Sequence, residues 1–125
     1  MNLYHWENIA VQAQATIKEA LEVLDREALQ IVFVVGKKAL LLGTITDGDI
    51  RRALLRGEEL GSSVTKAMNA SPLVGFNEKN EMAWKRTMRE HAIRHLPIVD
   101  QSKAIIGLYY DKQAVKKRSN PVVLM

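Results

Sequence analysis

Thr46 and Asp49 stand three residues apart in the stretch GTITDGDIRR, where a β-branched run meets an acidic, glycine-containing turn. A threonine with an acid three residues later is the pattern of a helix capping box. The same side chains could also hold a sugar, because an ionised carboxylate accepts two hydrogen bonds from a cis-diol and a threonine hydroxyl both donates and accepts. These residues therefore allow either a helix cap or a ligand site at this turn.

The composition restricts the kind of protein this can be. Its 125 residues are 47% hydrophobic and 26% charged, which suits one compact soluble domain with a real core. The absence of cysteine excludes disulfide frameworks and cysteine-ligated metals, and favours a cytoplasmic location. His5, His91 and His95 lack a metal-ligand spacing, so no metal site is expected. No apolar run reaches the length of a membrane span, and no signal-peptide pattern opens the chain.

The net charge of +4 favours anionic partners such as nucleotides, phosphates or nucleic acid. The basic residues are mostly scattered among acidic ones. The exception is the run Lys116-Lys117-Arg118, which is typical of a solvated helix end. No patch of interleaved basic and aromatic residues accompanies it, so we do not expect direct nucleic-acid binding.

The chain repeats itself with an offset of 64 residues. Residues 31–46 and 95–110 each have the pattern of strand, tight turn and strand, and Gly43 aligns with Gly107 (107 − 43 = 64). The segments before these hairpins, 16–29 and 80–93, have apolar residues at helical spacing, with Thr16 and Asn80 as candidate N-caps. Short strands are predicted near 9–11 and 73–76, and second helices over 47–55 and 111–117.

Neither copy is large enough to bury much core alone. Two amphipathic halves, joined at the polar stretch 57–63, would bury enough apolar surface by packing face to face. We therefore predict an α+β fold, in which the two copies form a pseudo-twofold pair with a cleft between them.

The sequence resembles a tandem pair of cystathionine β-synthase (CBS) domains. The resemblance is carried by the order of elements and by three stretches: RHLPIVD before the second hairpin, GTITDGDIRR closing the first copy, and KAMNASPLV opening the second. It covers residues 6–117 and implies two β-α-β-β-α repeats, at residues 1–60 and 61–118. In that family the pair is a regulatory module that binds adenosine nucleotides or related ligands in the cleft and signals to an attached enzyme or channel.

Residues 119–125, SNPVVLM, carry a second resemblance. They could form a C-terminal strand packed on the pair. They also resemble the opening strand of sugar-phosphate nucleotidyltransferases (nucleoside-diphosphate-sugar pyrophosphorylases), some bacterial members of which resemble this layout with an N-terminal CBS pair. We therefore expect a linker and the first strand of a missing, covalently attached catalytic domain.

Comparison of the two repeats predicts different roles for the two acidic residues of this turn, Asp47 and Asp49. Asp47 and Asp111 occupy the same place in both copies, so Asp47 is the expected helix cap. Thr46 and Asp49 are not repeated, so a helix can start here without them. In ligand-binding CBS domains the matching threonine and aspartate hold a nucleotide's ribose, and the resemblance implies that role for Thr46 and Asp49. Pure capping is the alternative, since the pattern is common before helices.

The resemblance supplies further partners from the second copy. Leu73 and Val74 match the edge that holds the base by backbone and apolar contact, although both could simply be core strand residues. The residues that match phosphate contacts are Arg94, His95 and Lys112. Their alternatives are solvated surface positions or, for His95, an ordinary partly buried histidine. Arg51 and Arg52 either border the phosphates or are surface charges.

A mirror-image site would rely on Tyr110 and Gln113 for the ribose and on Gln30 and Ile31 for the phosphate. It lacks both the carboxylate and the basic side chains. We therefore predict one occupied nucleotide site per chain.

No catalytic arrangement appears among the residues: there is no Ser/His/Asp set, Walker loop or dinucleotide glycine motif. The chain is therefore predicted not to be an enzyme and to need no cofactor, with AMP, ADP or ATP as the regulatory ligand. A homodimer through the CBS pairs is expected. The competing interpretations are a dimerisation scaffold without a working ligand site and a basic nucleic-acid-binding domain.

Overall fold

A computed structural model describes residues 3–27 and 29–110. The predicted second helix of the second repeat, at 111–117, and the segment 119–125 lie outside these residues. The helices and strands are β1 (Ala10–Gln12), α1 (Ile17–Arg26), β2 (Val32–Val35), β3 (Leu41–Ile45), α2 (Asp47–Leu55), β4 (Gly75–Phe76), α3 (Glu81–Glu90), β5 (His95–Val99) and β6 (Ile105–Tyr110). In this part of the chain no helix is long and apolar enough to cross a membrane.

Each repeat contains one three-stranded sheet, ordered β1-β2-β3 in the first and β4-β5-β6 in the second. The first two strands of each sheet run parallel, and the last two form an antiparallel hairpin. Val34 pairs with Gly43 in one hairpin and Ile98 with Gly107 in the other, and both registers shift at the next residue. The 64-residue offset therefore holds in the backbone pairing, and the α+β class is confirmed.

The turns of the two hairpins meet around a pseudo-twofold axis. Leu40 forms a β-bridge with Ala104, its own equivalent in the second repeat (104 − 40 = 64), and Leu41 N donates to Lys103 O at 3.0 Å. A residue that pairs with its own equivalent lies beside the axis that exchanges the repeats. The predicted pseudo-twofold packing is thus confirmed.

The segment that precedes the first strand of each repeat, called its entry segment here, pairs with the last hairpin strand of the other repeat. The entry segments contain Tyr4 in the first repeat and Asn69 in the second. Tyr4 N donates to Leu108 O at 2.8 Å, and Leu108 N donates to Tyr4 O at 3.2 Å. Asn69 and Thr44 exchange the corresponding bonds at 2.8 and 3.1 Å. Thr44 and Leu108 are equivalent (108 − 44 = 64), whereas Tyr4 and Asn69 are 65 residues apart (69 − 4 = 65), so the exchange follows the pseudo-twofold axis to within one residue. It was not predicted from the sequence.

The helices α1 and α3 begin where predicted but end earlier. Thr16 caps α1 by accepting from Glu19 N, and Asn80 caps α3 by accepting from Ala83 N at 2.9 Å. The chain leaves α1 in an extended conformation at Glu27 (φ −100°, ψ 141°) and turns after α3 at Ala92 (φ 53°). The helix-like segments 16–29 and 80–93 are therefore longer than the helices that form within them.

The two repeats share a hydrophobic core. Its larger cluster joins buried residues of the first repeat, such as Phe33 and Ile45, to Val99 and Leu108 of the second. A smaller cluster packs α3 against β5 and β6 through Trp84, Met88, Leu96, Ile98 and Tyr109. Because the shared core fixes the repeats against each other, it also fixes the walls of the cleft between them.

Candidate functional site

Thr46 caps α2 and forms a capping box with Asp49. The Thr46 backbone is extended (φ −122°, ψ 173°), and its Oγ1 accepts a 3.4 Å hydrogen bond from Asp49 N. Asp49 Oδ2 in turn accepts from Thr46 N at 3.0 Å and from Thr46 Oγ1 at 3.1 Å. The prediction that Asp47 is the cap is wrong, because Asp47 is already the first helical residue and an N-cap residue precedes the helix. A ligand must therefore share Thr46 and Asp49 with the cap.

The Asp49 carboxylate is largely engaged by protein partners. Its side chain is 16% exposed, and its Oδ1 accepts a 2.8 Å hydrogen bond from Arg52 Nη2. A carboxylate has about four lone-pair positions, so about one stays open on Oδ1. The Thr46 hydroxyl, which donates once and accepts once here, also keeps one open lone pair. The pair can therefore offer two acceptors to the hydroxyl groups of a ligand.

Both side chains border a cleft of about 680 Å³ between the repeats, a volume typical of small-molecule sites. The walls come from the end of β3, the start of α2, the entry segment of the second repeat, and the turns that precede β2 and β5. The lining residues are Gln30, Ile31, Thr44, Thr46, Asp47, Gly48, Asp49, Arg51, Asn69, Ser71, Pro72, Leu73, Ala92, Ile93, Arg94, His95 and Pro97.

The second repeat contributes most of its predicted site residues to this cleft. Arg94, which is exposed, and His95, which is half-buried at the start of β5, both line it. Leu73 lines it with 41% of its surface exposed. Val74 is not among the lining residues and packs against the shared core instead, since successive side chains of an extended segment point to opposite sides. Lys112 lies outside the described residues.

Gln30 is a residue of this cleft that was expected only in the mirror-image site. It was predicted, with Ile31, to belong to a separate mirror-image site, yet both residues line the same cleft as Thr46 and Arg94. Gln30 has a left-handed backbone (φ 65°), and its buried Oε1 accepts no hydrogen bond from any described residue. Gln30 is the equivalent of Arg94 (94 − 30 = 64), and the shared cleft shows that both lie near the pseudo-twofold axis, which the offset alone does not reveal.

The entry segment of the second repeat adds polar groups that were not predicted. Asn69 Oδ1 accepts a 3.0 Å hydrogen bond from Ser71 N, and the Asn69 backbone is paired with Thr44. These bonds hold the segment along one wall of the cleft. The stretch KAMNASPLV marked this region as an entry segment, but only the pairing with β3 brings Asn69 and Ser71 to the site.

The mirror-image site is described only in part. Tyr110 is half-buried and packs edge-on against Tyr4, with ring centroids 6.3 Å apart. Gln113 lies outside the described residues. Within residues 3–27 and 29–110, no three acidic or histidine side chains come together in a group that could hold a metal ion.

Comparison with protein families decides the class of this molecule. The profile of the CBS domain family matches residues 5–56 and 64–120, which is most of the chain. The chain belongs to the CBS domain family. With one match in each repeat it is a CBS pair, a regulatory module rather than a catalytic domain.

The curated relatives of this CBS pair are longer proteins with different activities. It is 30% identical over 115 residues to an inosine-5'-monophosphate dehydrogenase of Helicobacter pylori, covering 90% of this chain and 23% of that protein. It is 28% identical over 97 residues to the arabinose 5-phosphate isomerase GutQ of Escherichia coli, covering 78% of this chain and 30% of that protein. The chain therefore spans less than a third of the length of either relative.

Solved structures share the fold of this CBS pair. The protein AcuB from Vibrio cholerae has a TM-score of 0.79 at 17% identity, covering 98% of this chain and 90% of that one. CBSX2, solved in complex with AMP, has a TM-score of 0.76 at 24% identity, covering 97% of this chain and 94% of that one. At these identities the likeness establishes the fold alone.

Proposed function

We propose that the cleft of this CBS pair binds an adenine nucleotide that regulates an attached enzyme. The observation that carries the proposal is the presence, in one cleft, of the acceptors Thr46 and Asp49 from the first repeat and the cation Arg94 from the second. A nucleotide joins a neutral diol to an anionic phosphate, so it needs acceptors at one end and a cation at the other. CBSX2, which has the same fold, binds AMP.

The ribose lies at the start of α2 in this proposal. Its two hydroxyl groups donate to the open lone pairs of Asp49 Oδ1 and Thr46 Oγ1, and the bond to the carboxylate is charge-assisted. The capping box holds both side chains in place before the ligand arrives. Little side-chain entropy is then lost on binding.

The base and the phosphate occupy the other walls. The base packs on Pro72 and Leu73, whose exposed apolar surface becomes buried, and Val74 contributes only its backbone. The phosphate points away from the carboxylates and toward Arg94 and His95, and Lys112 completes this set. One nucleotide binds per chain, because Tyr110 and Gln113 offer no carboxylate to a second ribose.

Calorimetric titration with AMP, ADP and ATP tests the proposal. The wild-type chain should bind one adenine nucleotide, and Asp49→Ala should weaken binding about 10- to 100-fold, the range for loss of a hydrogen bond to a charged group. Asp49 also caps α2, so a matched control is needed. Glu19→Ala removes the same capping-box carboxylate from α1, outside the cleft, and should leave the affinity unchanged.

The same titrations separate the competing functions. Absence of binding by every adenine nucleotide would favour a dimerisation scaffold. If Asp49→Ala and the wild-type chain bound adenine nucleotides with equal affinity, the assignment of Asp49 to the ribose would be wrong. Binding to duplexes that falls steeply with salt would favour a nucleic-acid-binding domain.

The wider setting is also a proposal. Repeats 1–60 and 61–118 form a cytoplasmic homodimer, and residues 119–125 lead into a sugar-phosphate nucleotidyltransferase domain. The support for this parent is the resemblance of SNPVVLM to the opening strand of that enzyme class. The two relatives reported above are a dehydrogenase and an isomerase, so they do not favour it. A glycine-rich loop directly after Met125 in the native protein is the expected finding, and its absence would overturn this parent.

A further inference from the structure

The outer faces of α1 and α3 carry opposite charges at equivalent positions. On α1 the exposed residues 21, 22 and 25 form an acidic stripe of Leu21, Glu22 and Asp25. On α3 the exposed residues one offset later (21 + 64 = 85, 22 + 64 = 86, 25 + 64 = 89) form a basic stripe of Lys85, Arg86 and Arg89. These positions share one helix face, because residues three and four apart are neighbours. The next position toward each N-terminus holds Lys18 on α1 and Met82 on α3.

None of these charges is neutralised within the part of the chain that is described. The ion pairs there join Arg26 to Glu27, Arg52 to Asp49 and His5 to Glu7, and none involves either stripe. Glu19 is engaged by the cap of α1. The two carboxylates of the acidic stripe and the three cations of the basic stripe are therefore exposed and have no ion-pair partner among residues 3–27 and 29–110.

We propose that a second copy of this chain docks head to tail, with the acidic stripe of each copy against the basic stripe of the other. This rests on the homodimer of the proposed function and assigns its orientation. In a twofold dimer, contact of one helix with its partner's other helix is made twice, so both acidic stripes face basic stripes. A head-to-head dimer would instead place three cations against the same three cations, which disfavours association.

Apolar side chains accompany the charges on both helices. Leu21 lies within the acidic stripe, and Met82, which is 71% exposed, continues the basic stripe by one turn. An unbranched methionine adapts to an irregular partner surface. Head-to-tail docking buries both side chains, while the charge pairs set which helices meet.

Charge reversal tests the orientation by sedimentation of the chain without nucleotide. The variant Lys85→Glu/Arg86→Glu/Arg89→Glu makes both stripes acidic and should raise the dimer dissociation constant at least about tenfold. Adding Glu22→Lys/Asp25→Lys to that variant swaps the two stripes and should restore the dimer. Lys37→Glu/Lys38→Glu, on an exposed turn, is the matched control and should leave it unchanged.

Cysteine cross-linking tests the same contact directly, because the chain has no cysteine of its own. A mixture of Leu21→Cys and tagged Met82→Cys chains should give a mixed disulfide dimer, and neither variant alone should cross-link. Cross-linking by Leu21→Cys alone, or a dimer indifferent to charge reversal, would overturn the head-to-tail orientation. A wild-type chain that is monomeric at all concentrations would overturn the homodimer itself. Nucleotide binding is measured separately, and its outcome does not depend on the orientation of the dimer.

Discussion

Arg52 and Asp49 form an ion pair at the start of α2, with 2.8 Å between Nη2 and Oδ1. The guanidinium lies against Gly48, where an added Cβ atom would be 3.1 Å from Nη1. This pair engages the carboxylate oxygen that the proposed ribose contact requires. The ribose would use the second lone pair of the same oxygen, so the two bonds to Asp49 Oδ1 share one negative charge and weaken each other.

Replacing Arg52 should tighten the binding of adenosine. Arg52→Ala leaves the whole carboxylate charge to the ribose, and because an exposed ion pair is worth about 0.2–1 kcal/mol, the affinity should rise by up to about fivefold. Adenosine is the informative ligand, since it lacks the phosphate that a lost cation would also affect. Calorimetry with Arg26→Ala as control checks this, because Arg26 is equally exposed and ion-paired but its partner Glu27 lies outside the cleft. Unchanged or weaker adenosine binding by Arg52→Ala would contradict the mutual weakening of the two bonds to Asp49.

The two capping boxes predict matched losses of stability. Thr46→Ala and Thr16→Ala each remove the N-cap hydroxyl of a helix and should lower the free energy of unfolding by about 1 kcal/mol. Asp47→Ala should change it by less than about 0.5 kcal/mol, because Asp47 caps nothing and is exposed. Urea denaturation measures all three. A larger loss for Asp47→Ala than for Thr46→Ala would restore Asp47 as the cap.

Tyr4 should make stability depend on alkaline pH. Its hydroxyl donates to Glu27 Oε1 at 3.0 Å, and burial, followed by that hydrogen bond, raises the pKa of Tyr4 above 10.0. The folded state thus holds the proton more tightly, so the stabilisation is complete below pH 10 and is lost as the pH rises through the folded-state pKa.

The measurement is urea denaturation of the wild-type chain and Tyr4→Phe at pH 8 and pH 11. Tyr4→Phe should cost about 1 kcal/mol at pH 8, the typical value of a hydrogen bond, and less at pH 11. An equal cost at both pH values would show that the Tyr4 proton is not held more tightly in the folded state.

Local patterns predicted the parts of the fold that depend on neighbouring residues. The caps at Thr16 and Asn80 follow from residue types a few positions apart, and the alignment of Gly43 with Gly107 follows from the similar hairpin patterns of the two repeats; the structure confirms both. The choice between Thr46 and Asp47 as cap failed, because the internal repeat was given more weight than the spacing of the capping box itself.

The composition of the cleft could be predicted only in part, because it depends on contacts between the repeats. Gln30 lines the cleft because it lies near the pseudo-twofold axis. Asn69 lines it because its backbone pairs with Thr44 of the other repeat. Neither contact is encoded in a local pattern. Leu73 and Val74 illustrate the same limit, since the motif identifies the segment and only the packing decides which side chain faces the cleft.

The crossing of the entry segments makes Gly43 and Gly107 sensitive to substitution. A Cβ atom at Gly43 would lie 2.7 Å from Asn69 O and 2.8 Å from Met68 Sδ. At Gly107 it would lie 2.8 Å from Leu3 Cβ. Both equivalents are therefore glycine because the other repeat's entry segment passes directly over the strand. Gly43→Ala should lower the free energy of unfolding by about 1–3 kcal/mol, the range for overpacking.

Gly107→Ala should cost less than Gly43→Ala, because its added Cβ atom would meet the Leu3 side chain, whereas that of Gly43 would meet the backbone oxygen of Asn69. Gly61→Ala is the matched control, since nothing lies within 4 Å of its added Cβ atom, and it should change stability by less than about 0.5 kcal/mol. Urea denaturation ranks the three variants. If Gly43→Ala were no more destabilising than Gly61→Ala, the entry segment would not press on β3 in solution, and the wall of the cleft that contains Asn69 would be free to move.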